Sequence, residues 1–112
     1  MSTGTDDSHR YRAETLRSAM AGDTGITEVA LRTAVAARSA GGPPVAEPYD
    51  DLAWQIGDAS YRVTDAELAA VRRAAGSDKA AFEIVMSACI GAGMARWDAA
   101  TRILAEATDA PS

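Results

Sequence analysis

The residues able to move a proton in this chain are few, and the most suggestive lie in its second half. Glu83 follows Phe82 in AAFEIV, beside an apolar stripe, and Trp54 and Tyr61 stand seven apart in WQIGDASY. A glutamate set partly into an apolar surface has its ionised form disfavoured, so its pKa is expected to rise toward a range useful to a general acid or base. The competing expectation is an ion pair with an arginine such as Arg62 or Arg96, which would keep the carboxylate ionised. A seven-residue step is close to two helical turns. Trp54 and Tyr61 are therefore expected to share a face and, with Thr64, to line a small pocket, although packing in a core or subunit interface is the commoner use of such rings. Glu83, Tyr61 and an arginine for a substrate carboxylate would suffice for a cofactor-free enzyme acting on an organic acid or lactone.

The remaining reactive side chains offer less. Asp50, Asp51, Asp65 and Glu67 each fall in the first turn of an expected helix, where negative charge complements the helix dipole. Cys89 is the only cysteine, so no intrachain disulfide and no CxxC exist. Between Ala88 and Ile90, on the apolar stripe of the last helix, it is expected to be a small buried hydrophobe rather than a reactive thiol. His9, the only histidine, lies near the amino end, which leaves little material for a zinc site or a histidine-dependent triad. No metal and no cofactor are expected.

The elements that must position these groups are all helices. Residues 1–5 read as a disordered tail, and 6–108 as one all-α domain. DDSHRYRAETLRSAM offers Asp6, Asp7 and Ser8 as caps, then a weak stripe of Tyr11, Leu16, Ala19 and Met20. ITEVALRTAVAAR is a second helix, with Ile26, Val29, Ala30, Thr33 and Ala37 on one face. A Gly/Pro loop over 40–48 breaks the pattern, because two glycines and then two prolines cannot continue a helix. YDDLAWQIGDASYR follows with Tyr49, Leu52, Ile56 and Ala59 in step. TDAE is a capping box: the Thr64 hydroxyl accepts from the Glu67 N–H, and Glu67 reaches back to the Thr64 N–H. The helix it starts carries Leu68, Ala69 and Val71 and stops at Gly76. Ser77 and Asp78 cap the last segment. There, positions 82, 86, 89, 93, 97, 100 and 104 form the expected buried face, and Ala88, Ala92, Ala95 and Ala99 a smooth second one that another helix could approach closely. No alternating strand pattern occurs.

Composition narrows the function classes. The 112 residues are 47% hydrophobic but only 5% aromatic, with a net charge of −5. An alanine-rich chain of this size buries few large side chains, which favours association with further copies. The acidic balance argues against a phosphate-binding surface. TDAELAAVRRAAGSDKAAFEIV has a helix–glycine–helix rhythm, but its second helix opens on Ala80, Ala81, Phe82 and Ile84, a surface for a core rather than a DNA groove. No nucleic acid is expected as a partner. MSTGTDDSHR has no apolar centre and no apolar run nears ~20 residues, so neither a secretory leader nor a membrane span is expected, and the cytoplasm is the expected location.

The segment YRVTDAELAAVRRAAGSDKAAFE resembles part of the carboxymuconolactone decarboxylase and alkylhydroperoxidase D-like superfamily, as do the G-S-D-x-x-x-F-E and A-C-I-G-A-G textures. The likeness covers roughly residues 49 to 105. It implies an all-helical unit of about five helices that assembles into homo-oligomers. Redox members carry C-x-x-C-x-x-x-H before a glycine. Matching that glycine to Gly76 places Tyr61 and Thr64 at the two cysteine positions and Leu68 at the histidine. With neither thiol present, peroxidase chemistry is not expected. The residues at the vacated motif, with Trp54 and Glu83, become candidates to line a ligand pocket. The leading expectation is a non-redox accessory scaffold that binds a protein partner or a small organic acid. The alternative is the cofactor-free decarboxylase or lactone-processing enzyme outlined above.

Overall fold

The computed structural model describes residues 25–109. The expected tail at 1–5, the helix at 6–20 and His9 lie outside them. The described residues form four α-helices and no strand: α1 (Val29–Ser39), α2 (Tyr49–Ala59), α3 (Asp65–Ala75) and α4 (Asp78–Asp109), with a 3-10 turn at Ser60–Arg62 between α2 and α3. The coarse all-α expectation thus holds. The helix breaks fall where local chemistry puts them. Thr64 accepts from the Glu67 N–H at 3.1 Å and Glu67 Oε1 accepts from the Thr64 N–H at 3.2 Å, which completes the capping box. Gly76 ends α3 at φ 94, a left-handed conformation suited to glycine. Ser77 Oγ then accepts from the Ala80 N–H and opens α4.

The 32-residue α4 spans about 48 Å and packs on all three of the other helices. The core it shares with them centres on Val35, Leu52, Ala53, Ile56, Val71, Ile84, Ala88 and Ala92. Glycine sets how closely the helices meet. A Cβ at Gly91 would run into the Ala36 carbonyl, and one at Gly57 into the Ser39 carbonyl, so α1 lies directly against the backbones of α4 and α2. Ser39 sits in that seam, donating its hydroxyl to the Ala36 carbonyl and, at 2.6 Å, to the Ala88 carbonyl.

This close packing reverses two expected faces. On α1 the buried residues are Arg32, Val35, Ala36 and Ser39, while Ile26 ahead of it, Ala30, Thr33 and Ala37 are exposed. On α4 the buried set is Ala80, Ile84, Ser87, Ala88 and Ala92, which includes the first two residues of the expected smooth face, while Ala95 and Ala99 are half-buried. The large stripe is mostly outside: Phe82, Met86, Cys89, Ala100 and Leu104 are exposed, and Gly93 and Trp97 are half-buried. Cys89 is therefore not the buried hydrophobe its neighbours suggest. The reason is steric. Ala36 and Gly91 bring α1 and α4 too near for a row of Phe and Met between them, so alanines take the seam. On α2 the expected stripe is correct, with Leu52 and Ile56 buried.

Candidate functional site

Glu83 is the most strongly bound carboxylate among the described residues, and its partners come from the chain just before α1. The Ile26 N–H donates to both of its oxygens at 3.0 and 2.9 Å. The Thr27 N–H and hydroxyl donate to Oε1 at 2.9 and 2.7 Å. Buried Arg32 reaches in from α1, its Nη1 3.8 Å from Glu83 Oε1 and 3.1 Å from the Thr27 hydroxyl, while also donating to the Thr27 carbonyl. The Thr27 hydroxyl first, and then the two backbone N–H groups, hold the Glu83 pKa down to about 2, against the smaller opposing effect of burial. This corrects the expected upward shift. It also corrects the expected partner: Arg32 pairs with Glu83, whereas Arg96 donates to the Gly57 carbonyl at 2.8 Å and Arg62 lies over the Tyr61 ring. A carboxylate with so low a pKa stays ionised at neutral pH and is a poor base, so the geometry makes Glu83 a clamp between the approach to α1 and the body of α4.

The other candidates do not converge on it. Tyr61 is 83% exposed. The α-helix it was expected to share with Trp54 ends at Ala59, whose φ of −156 turns the chain into the 3-10 segment, so the seven-residue spacing no longer sets a common face. The Thr64 hydroxyl is taken up in its cap with Glu67, and Leu68 is exposed on α3. Trp54 is half exposed, with the Arg38 guanidinium 4.6 Å above its ring.

Arg38 is the residue the sequence reading missed. Its Nε donates to Asp50 Oδ1 at 2.8 Å and its Nη1 to the Gly42 carbonyl at 3.0 Å, while the Val45 N–H donates to the same Asp50 oxygen. The Val45 N–H first, with Arg38 adding to it, lowers the Asp50 pKa. Arg38 and Asp50 thereby stitch the Gly/Pro loop to α1 and α2. Glu47, Asp50 and Asp51 bring one carboxylate oxygen each within 4.8 Å of one another. Since Asp50 is already held by Arg38 and Val45, and the Asp51 N–H donates to Glu47, this group is the stitched start of α2.

Clefts open among the described residues. One of about 180 Å³ is lined by Ser39, Ala40, Gly41, Trp54, Gly57 and Asp58. The other, about 420 Å³ and widely open, lies at the α3–α4 turn against Arg72, Arg73 and Asp78. Trp54 lines the first; Tyr61, Thr64, Leu68 and Glu83 line neither. No described helix is long and apolar enough to cross a membrane. Comparison with known protein families, curated proteins and solved structures gives no match to the chain.

Proposed function

We propose that the chain is a carboxymuconolactone decarboxylase-like helical scaffold without redox cysteines, which acts by binding a protein partner or small organic ligand as a homo-oligomer. The observation that carries this reading is the apolar outer face of α4, where Phe82 is 63% and Leu104 65% exposed. Apolar surface concentrated on one side of a small domain is characteristic of an interaction site. The engaged carboxylate of Glu83 and the exposed Tyr61, neither of which lines a cleft described above, weigh on the same side, since an acid–base pair needs both groups at one substrate.

Light scattering on the full chain at micromolar concentration tests the assembly. Turnover assays with alkyl hydroperoxides and with a panel of small lactones and carboxylic acids test the chemistry. The expected result is an oligomer with no turnover. A compact monomer, or turnover that disappears in Glu83→Ala or Tyr61→Phe, would overturn the reading.

A further inference from the structure

The outer face of α4 has a symmetry that its inner face lacks. Its apolar and small positions, 82, 86, 89, 93, 97, 100 and 104, are separated by steps of four, three, four, four, three and four, the same read from either end, with Gly93 at the centre. Ile84, in the core, stands two residues from both Phe82 and Met86, or about 200° around the helix. The stripe therefore faces away from the three helices already packed on α4. Phe82 to Gly93 and Gly93 to Leu104 are each eleven residues, close to three whole turns, so the stripe runs nearly straight along the axis.

Gly93 is the second observation. Gly57 and Gly91 are accounted for inside the protomer, because a neighbouring carbonyl fills the space of their missing Cβ. At Gly93 a Cβ would meet nothing within 4 Å, and its backbone is ordinary helix. A glycine in mid-helix weakens the helix relative to alanine, and nothing among the described residues requires it. A second backbone crossing there would.

We propose that the occupant of this face is a second copy of the chain, with two α4 helices antiparallel and crossing at Gly93. A two-fold interface must be self-complementary. In this register Phe82 faces Leu104 of the partner subunit, Met86 faces Ala100 of the partner subunit, and Cys89 faces Trp97 of the partner subunit. Each pair sets a larger side chain against a smaller one, and the glycines meet where the helices come closest. The area is sufficient. Phe82, Met86 and Leu104 expose on the order of 300 Å² of apolar surface per protomer. With Cys89, Ala100 and the half-buried Gly93 and Trp97, two copies bury on the order of 1,000 Å², the least that a specific interface needs.

This inference rests on the homo-oligomer reading and specifies its register. The test uses the full chain in a Cys89→Ser background, which leaves single engineered thiols. Under mild oxidation with diamide, Gly93→Cys is expected to form a disulfide-linked dimer at least tenfold faster than Met86→Cys. The two residues numbered 86 would be separated by fourteen residues of helix, about 21 Å, in an antiparallel pair. Gly93→Leu is expected to weaken association at least tenfold while, like Gly93→Ala, not lowering the unfolding midpoint at high dilution, since leucine also favours the helix over glycine. An oligomer whose Gly93→Cys thiol stays free, or that links faster through Met86→Cys, overturns this register and leaves the oligomer reading standing. A monomer at micromolar concentration, as would follow if residues before Gly25 covered the stripe, overturns both.

Discussion

Glu83 fastens the chain before α1 to α4, and Thr64 caps α3, each through hydrogen bonds that a single substitution removes. The folded pKa of Glu83 is about 2 against an ordinary 4.5, so its bonds contribute stability fully above pH 4.5 and lose it as the pH falls toward 2. Glu83→Gln is expected to melt below wild type at pH 7, with the gap closing between pH 4.5 and 2; thermal melts across that window check it, and a constant gap would refute the clamp. The variant keeps some acid sensitivity of its own, because the Asp50 pKa is lowered as well. Thr64→Ala is expected to cost about 1 kcal/mol and Thr64→Ser much less, since serine retains the accepting hydroxyl. Equal stability of wild type and Thr64→Ala in urea would contradict the cap. The Thr64 box was legible because all its atoms lie within four residues. The partners of Glu83 were not, because Ile26 and Thr27 precede it by 57 and 56 positions and carry no local mark of the pairing.

At the scale of elements, the breaks between helices were readable and the orientation of the helices was not. The Gly/Pro loop, TDAE and Gly76 act through backbone chemistry that does not depend on tertiary context. The inward face of α4 does depend on it. Apolar or small residues lie on two opposite sides of that helix, so periodicity alone gives two answers, and the preference of Phe and Met for burial selects the wrong one. What decides is the approach of the Ala36 carbonyl to Gly91, a contact between elements some fifty residues apart in sequence. Gly91→Ala is therefore expected to cost about 1–3 kcal/mol by forcing α1 off α4. Gly93→Ala, measured at high dilution where single protomers dominate, is expected to stabilise by up to about 1 kcal/mol, since its Cβ would enter open space and alanine favours the helix. Chemical denaturation of the two variants side by side separates these outcomes.

For the whole molecule, the feature that matters is that α4 outruns the described helices packed on it. The other described helices are 11 residues each, about 16 Å, and residues 101–108 of α4 are exposed throughout. A helix end of that length is marginal in water without tertiary support. Amide hydrogen exchange is expected to be fast over residues 101–107 in dilute protein and at least tenfold slower as concentration rises, while amides around Ile84 and Ala88 stay protected at both. Equal protection at all concentrations would show that the end of α4 is held within one chain. Association is proposed from the scarcity of large side chains, and composition reports that shortage of core without saying which surface would relieve it. The two-sided character of α4 also has a signature in variation. Along a one-faced helix, tolerance to charged substitution rises and falls once per 3.6 residues. If both sides of α4 are buried in the assembled state, a lysine scan read out by assembly will show sensitivity twice per turn, while the same scan read out by folding at high dilution will keep the single period.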